Sequence, residues 1–329
     1  MGKMNTAMCS FLSSTIRFAD FFNGVLFQGR EIIQASDLQT ASEQYSETEC
    51  ITSQSFRDIK MYTGSGETLR VLALENQNSV DYTLPYRCMQ YDAMEYGRQL
   101  KELKQYNNKK KLLHTSAEWL CGISKDDRLA PVYTLCLYHG EDPWDGPLTL
   151  RDMMRFDSDR ENLQQYFADY PLRLYCVNAH TDFSCFHTEL REVFTALNCR
   201  KEKSKLFSTV NNDTAFQKLN HETVKVLSVL LNTPTLWTER EKFMNINQGE
   251  EKYNMCQALQ ELYEDGRNEG LSQGLSQGLS QGLSQGVDLM NLLVQKLLTN
   301  NQLDDLKKAV ADPAFRDELM EKYHIKTNF

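Results

Sequence analysis

Two carboxylates and an amide are spaced so that a pair of neighbouring strands could bring them together. Asp58 begins one apolar run, and Glu75, Asn76 and Gln77 end the next run along the chain. Side chains at i and i+2 of a strand share a face, so Glu75 and Gln77 point together, and a paired strand can place Asp58 beside them. Two convergent carboxylates predict a site for a hard cation such as Mg²⁺, which can polarise a phosphodiester oxygen and activate a bound water.

The same spacing also has a plainer interpretation. An Asp followed 17 residues later by Glu-x-Gln is common by chance, and polar residues at the end of a strand usually just meet solvent. Against this, Glu75 ends the buried-type run LALEN, where a carboxylate is costly unless it is used or solvated. Both alternatives stay open on the residue types alone.

The elements that would position these residues predict a mixed α/β core with an α-helical extension. The strand pair is expected from two β-type runs about a Gly-Ser-Gly turn, and the helices from apolar residues at helical spacing. In chain order the predicted elements are a helix over 14–28, a polar segment over 36–54, strands over 56–63 and 68–77 about a turn at 64–66, a helix from Pro85 to about residue 107, strands over 131–139 and 172–179, and helices over 187–199, 213–232, 237–265 and 288–323.

Four copies of Gly-Leu-Ser-Gln occupy residues 270–285. A period of four drifts by about 40° per repeat on a helix, and each glycine costs about 1 kcal/mol relative to alanine. The segment is therefore either a flexible linker or a helix whose small residues permit close helix contacts. The helical alternative is preferred and predicts a homo-oligomer formed through the C-terminal helices. The expected regions are a core over 14–182, a helical region over 183–265, the repeat over 266–286 and a C-terminal helical segment over 287–329.

Composition excludes several classes of protein. The formal charge of −9 argues against a protein that coats nucleic acid by bulk charge. The nine cysteines are scattered and contain no CxxC pair, which favours reduced thiols in a cytoplasm over a disulfide frame or a zinc site. No apolar run of about 18 residues is present, so no membrane span and no membrane partner are expected.

The stretch RDIKMYTGSGETLRVLALENQNSVDYTLPYRCMQYDAMEYGRQL, residues 57–100, resembles the Rpn family of recombination-promoting nucleases. This family, also labelled as transposases, belongs to the PD-(D/E)XK nuclease superfamily. RFADFFNGVLFQG (17–29), DRLAPVYTLCLYHGEDPWDGPLTLRDMM (127–154) and the glycine tail are similar as well, so the resemblance spans most of residues 15–200. It implies a restriction-endonuclease-like core of helix, three strands, helix and strand that cleaves DNA with Mg²⁺ or Mn²⁺ in bacterial recombination, mobile-element or phage-defence biology.

Carried over by position, the resemblance implies a role for each residue of the hairpin. Asp58 matches the motif aspartate, Glu75 matches the second metal ligand, and Asn76 would add its backbone carbonyl. Gln77, the third catalytic position, stands where the superfamily has lysine, so charge stabilisation must come from the metal or from another residue. The superfamily also places an acid on the first helix, where Asp20 is the candidate ligand, although a solvated role for this lone carboxylate is preferred.

Basic residues on the helix after the hairpin are candidates for contacts with DNA, because phosphate contacts supply most non-specific affinity. Arg87 and Arg98 could also supply the missing charge, and Lys101 and Lys104 follow them. For Arg87 and Arg98 a role as surface charges is preferred, and a solvated helix face explains the lysines equally well.

The leading prediction is a Mg²⁺-dependent DNA endonuclease, and the alternative is a catalytically silent DNA-binding or oligomerising helical adaptor. The resemblance further suggests a separately produced C-terminal fragment, for which Met255 and Met290 are candidate starts.

Overall fold

The computed structural model describes residues 2–40, 58–64, 69–156, 161–247 and 249–325. Within them the chain forms a mixed α/β fold that divides into two compact units, Met1–Leu259 and Gln260–Phe329. Most of the predicted polar segment over 36–54 and most of the predicted turn over 64–66 lie outside the described residues. No helix of the described ranges is long and apolar enough to cross a membrane.

The elements have the following bounds. They are α1 (Lys3–Leu12), α2 (Thr15–Phe27), β1 (Leu38–Thr40), β2 (Ile59–Thr63), β3 (Arg70–Gln77), α3 (Leu84–Lys110), α4 (Ser116–Cys121), β4 (Val132–Tyr138), α5 (Glu161–Gln164), β5 (Leu174–Cys176), α6 (Leu190–Cys199), α7 (Lys203–Asn212), α8 (His221–Leu230), α9 (Thr235–Thr238), β6 (Met244–Asn247), β7 (Glu250–Tyr253), α10 (Met255–Thr299), α11 (Leu303–Ala311) and α12 (Pro313–Lys322).

One five-stranded sheet, in the order β1-β2-β3-β4-β5, organises the first unit. The strands β1, β2 and β3 pair antiparallel, whereas β3, β4 and β5 run parallel. From Val71 to Gln77 every residue of β3 is buried, as expected of a strand with helices on both faces. On one face Leu84 and Cys88 of α3 pack with Cys136 of β4, and on the other face α1 contacts β3.

The predicted helices about the hairpin are confirmed as α2 and α3, and the hairpin itself as β2 and β3. Several elements differ from the prediction, and the helix expected over 288–323 is divided among the end of α10, α11 and α12. The strand expected over 172–179 keeps only three residues as β5, and the helix expected over 237–265 is interrupted by the hairpin of β6 and β7. Helix α1 was not predicted at all, because its short and broken apolar pattern carries little periodic signal.

Helices α6 to α9 belong to the same compact unit as the sheet. An aromatic cluster explains this, because Phe21 of α2 contacts Tyr175, Phe186 and Phe194 at ring-centroid distances of 5.9–6.3 Å. Such large apolar side chains contribute strongly to packing free energy when buried. Helix α6, which carries Phe194, therefore completes the core of the sheet.

The repeat over 266–286 lies inside α10, so it is helical. The first turns of α10 bury Met255 and Ala258, and its last turns bury Leu293 and Leu297. In the second unit Leu293 and Leu297 pack with Ala309 and Leu319. Packing at both ends offsets the low helix propensity of the glycines between them.

Candidate active site

Asp58 and Glu75 lie side by side at one end of the hairpin. Ile59 pairs with Leu74 in the antiparallel ladder, so Asp58, one residue before β2, lies opposite Glu75. The Asp58 carboxylate accepts a hydrogen bond of 2.7 Å from the backbone N–H of Asn76 to its Oδ2 atom. The spacing in sequence therefore places both predicted carboxylates at the same sheet end.

The side chains that end β3 alternate between the two faces of the sheet. Glu75, fully buried, meets Arg87 of α3 on one face, and Gln77, two residues on, shares that face by the strand period. Asn76 points to the other face, where its Nδ2 donates to the backbone carbonyl of Asn5 in α1 at 3.1 Å. This hydrogen bond joins α1 to β3 on the face of the sheet opposite Glu75. It helps to fix which way the side chains at the end of β3 point.

Arg87 is the cation at this end of the sheet. Its Nη2 lies 3.4 Å from Glu75 Oε2, and its Nη1 forms an ion pair with Asp81 in the loop before α3. The contact of Arg87 with DNA stays a prediction, and in the structure its guanidinium pairs with two carboxylates of its own chain.

The pKa values of the site reflect burial close to negative charge. Burial raises the pKa of Asp58, while the Asn76 amide and the charge of Arg87 oppose that rise. Burial first, and then the nearby charge of Asp58, raises the pKa of the Cys9 thiol to about 12. The Asn76 amide and Arg87 only partly offset the cost of burying the charged form of Asp58. A cation bound beside this carboxylate would stabilise the charged form further.

Asp20 is occupied elsewhere. Its carboxylate accepts hydrogen bonds of 2.8–3.0 Å from the backbone N–H groups of His187 and Thr188 and one from the Thr188 hydroxyl. These bonds tie the segment before α6 to α2. They assign Asp20 a structural role, and the solvated role is wrong because the side chain is buried. Its service as a metal ligand stays a prediction that this hydrogen bonding disfavours.

The donor set at the hairpin end fits Mg²⁺. This ion keeps several waters and is commonly held by one or two carboxylates together with substrate phosphates. Asp58 and Glu75 supply that number, and across the described ranges no cluster of three or more His, Cys, Asp or Glu residues could hold a metal. Whether the Asn76 carbonyl joins the set stays a prediction.

His139 is a residue near the site that the sequence analysis missed. It directly follows β4, and its backbone N–H donates to the carbonyl of Gln77 at 2.9 Å. The ring is buried and neither of its nitrogens has a hydrogen-bond partner in the described part of the chain. Burial, and then the charge of Arg200, lowers the pKa of His139 to about 4, so the imidazole is neutral at pH 7. The only signal in the sequence was a histidine ending a strand-like run.

The other three predicted DNA contacts divide into two kinds. Arg98 pairs with Glu95 and Glu102 of its own helix, and its contact with DNA stays a prediction that these pairs disfavour. Lys101 and Lys104 are exposed and form no ion pair with any described residue.

Comparison of the chain with known proteins found no matching family model, no matching curated protein and no matching solved structure.

Proposed function

We propose that this chain is a Mg²⁺-dependent DNA endonuclease with a PD-(D/E)XK core. The observation that carries the proposal is the placement of Asp58 opposite Glu75, with Arg87 on the buried side of the pair. The order α2, β1, β2, β3, α3, β4 supports it, since the resemblance implies helix, three strands, helix and strand. A link to recombination, mobile elements or phage defence is part of the same proposal.

Each residue of the site has a distinct part in phosphodiester hydrolysis. Asp58 and Glu75 hold the ion, which supplies Lewis-acid stabilisation of the scissile phosphate and activation of a water when bound. Gln77, on the face of Glu75, orients that water through its amide. Arg87 pairs with Glu75 and holds it in place, and its positive charge would stabilise the negative charge that develops on the phosphate.

The test is nicking of supercoiled plasmid by the full chain with Mg²⁺, with Mn²⁺ and with EDTA. Asp58→Asn is the main variant, because the amide oxygen can still accept the hydrogen bond from Asn76 while the charge is lost. We expect its rate to fall by about a hundredfold. Asp126→Asn removes an exposed carboxylate and serves as the matched control with an unchanged rate.

Equal nicking by wild type and Asp58→Asn would overturn the assignment, since a contaminating nuclease would give that result. Nicking that persists in EDTA would overturn the metal dependence. Gln77→Ala and Gln77→Lys separate the role of the third position. We expect loss of rate with alanine and retention with lysine, because only the second restores a polar group that can orient water.

An oligomerising helical adaptor is the second candidate, and a row of exposed leucines on α10 favours it. These leucines recur every fourth residue within the repeat and are Leu271, Leu275, Leu279 and Leu283. Such a row on a solvent-facing helix is suited to contact with a second copy of the chain. Light scattering tests it, and we expect replacement of the two central leucines by serine to lower the mass to that of one chain. An unchanged mass would refute this candidate.

A further inference from the structure

An exposed apolar surface lies at the end of α3 and on α4. It consists of Tyr106, Leu112, Trp119 and Leu120, which are 55%, 41%, 58% and 91% exposed. We call these four residues the α4 surface. Four large exposed side chains within residues 106–120 make this part of the chain a candidate interaction site. The exposed aromatic rings therefore require an explanation beyond packing.

Hydrogen bonds order the turn that carries Trp119. The carboxylate of Glu118, the preceding residue, accepts hydrogen bonds of 2.8–3.3 Å from the backbone N–H groups of His114, Thr115 and Lys125. Asn107 of α3 donates to Asp127 at 2.7 Å and so ties the far end of this loop to the helix. The α4 surface is thus presented by an ordered turn, with its aromatic ring displayed to solvent.

Positive charge surrounds the α4 surface. Residues 101–128 contain seven Lys or Arg residues and four Asp or Glu residues, in a chain whose net charge is −9. Three of the four acids are engaged: Glu102 pairs with Arg98, and Glu118 and Asp127 accept the hydrogen bonds of the turn. Among the described residues none forms an ion pair with the exposed lysines of α3 and its end, which are Lys101, Lys104, Lys109, Lys110 and Lys111.

We propose that the α4 surface binds single-stranded DNA, with bases stacked on Trp119 and Tyr106 and phosphates held by the lysines of α3. Non-specific single-strand binding combines a basic track with aromatic rings on which successive bases stack. A lipid surface is disfavoured, because interfacial helices present a large apolar face opposite a charged one, and the six residues of α4 form less than two turns. This proposal rests on the proposed nuclease function and names how its substrate is held.

Helix α3 sets the distance between this surface and the candidate active site. Arg87 lies at the site, and Lys104 lies 17 residues further along the same helix, which corresponds to about 26 Å. A strand that follows the lysines of α3 would therefore extend from the α4 surface towards the hairpin end.

Fluorescence anisotropy of a labelled 20-nucleotide single strand, measured in EDTA with the full chain, tests the proposal. We expect Trp119→Ala to weaken binding about tenfold and Trp119→Phe to restore most of it, because stacking needs only an aromatic face. Tyr166→Ala removes another exposed aromatic side chain, 78% exposed, and is the matched control with unchanged affinity. Circular dichroism checks that each variant is folded.

A charge variant tests the lysines separately. Changing Lys109, Lys110 and Lys111 to glutamine should lower the slope of log affinity against log salt by about two, since each single-strand phosphate contact contributes about 0.7. Changing Lys203 and Lys205, which are exposed on α7, should leave that slope unchanged. The same affinity for Trp119→Ala as for wild type would overturn the proposal. Trp119-dependent binding to anionic phospholipid vesicles, with no such binding to DNA, would also overturn it.

Parallel plasmid nicking distinguishes failure of this proposal from failure of the proposed function. If nicking requires Asp58 but DNA binding does not depend on Trp119, the proposal for the α4 surface is refuted and the nuclease function stands. If DNA binding requires Trp119 but the wild-type chain does not nick plasmid, the proposed nuclease function is refuted and the chain is a DNA-binding protein.

Discussion

The buried ion pairs of Glu95 give a quantitative prediction, because they hold α3 against the sheet beside the candidate site. Glu95 is buried, and its Oε2 lies 3.0 Å from Lys60 Nζ of β2 and 3.2 Å from Arg98 Nε. Burial raises the pKa of Glu95, but the hydrogen bonds and charges of Arg98 and Lys60 outweigh burial and bring it to about 2. The folded protein therefore favours the ionised form.

The magnitude follows from the fall of the Glu95 pKa from 4.5 in the unfolded chain to about 2 in the folded protein. That difference corresponds to about 3 kcal/mol of stability. Because the folded pKa is depressed, this contribution is complete above pH 4.5 and is lost as the pH falls towards 2. We expect Glu95→Gln to lower the free energy of unfolding by about 3 kcal/mol at pH 7, a similar cost to breaking other buried ion pairs.

Urea denaturation at pH 7 and pH 3 measures this effect. The difference between wild type and Glu95→Gln should fall by more than half at pH 3, and the melting temperature at pH 7 should drop by about 8 °C. Glu102→Gln is the matched control, because its carboxylate pairs with the same Arg98 but is half-exposed and should cost less than about 0.5 kcal/mol. A Glu95→Gln effect that is the same at both pH values would refute the ionic origin of this stability.

Three further perturbations test the site, the core and the repeat. Mg²⁺ at about ten times its dissociation constant should stabilise the wild type by about 1.4 kcal/mol in differential scanning fluorimetry, and an equal shift in Asp58→Asn would count against the metal site. Gly24→Ala should destabilise the first unit by about 2 kcal/mol in urea denaturation, because a Cβ at this position would lie 2.3 Å from the ring of Phe186. Unchanged stability of this variant would contradict the packing of Phe186 against Gly24. Changing Gly274 and Gly278 to alanine should stabilise α10 by about 1 kcal/mol each, because an added Cβ meets no atom at either position. Circular dichroism during heating measures this stability, and no increase would mean that the repeat is not helical.

Local pattern was sufficient where apolar periodicity was strong. The runs that became α2, α3, β2, β3 and β4 were predicted close to their observed bounds, because each carries a periodic apolar pattern in the sequence. The pattern was insufficient for β5, β6 and β7, which have three or four residues each and little apolar alternation. Their pairing depends on neighbours that are distant in sequence, so it is decided by packing.

The sequence alone determined the residue types of the candidate site and their alternation along one strand. Asp58, Glu75 and Gln77 were identifiable because a strand repeats every two residues and a hairpin closes locally. Only the tertiary structure decided which cations meet these residues. Arg87 reaches Glu75, whereas Arg98, on the same helix, is directed to Glu95. The helix period and the crossing of α3 over the sheet set these contacts, and neither can be seen in a list of charges along the chain.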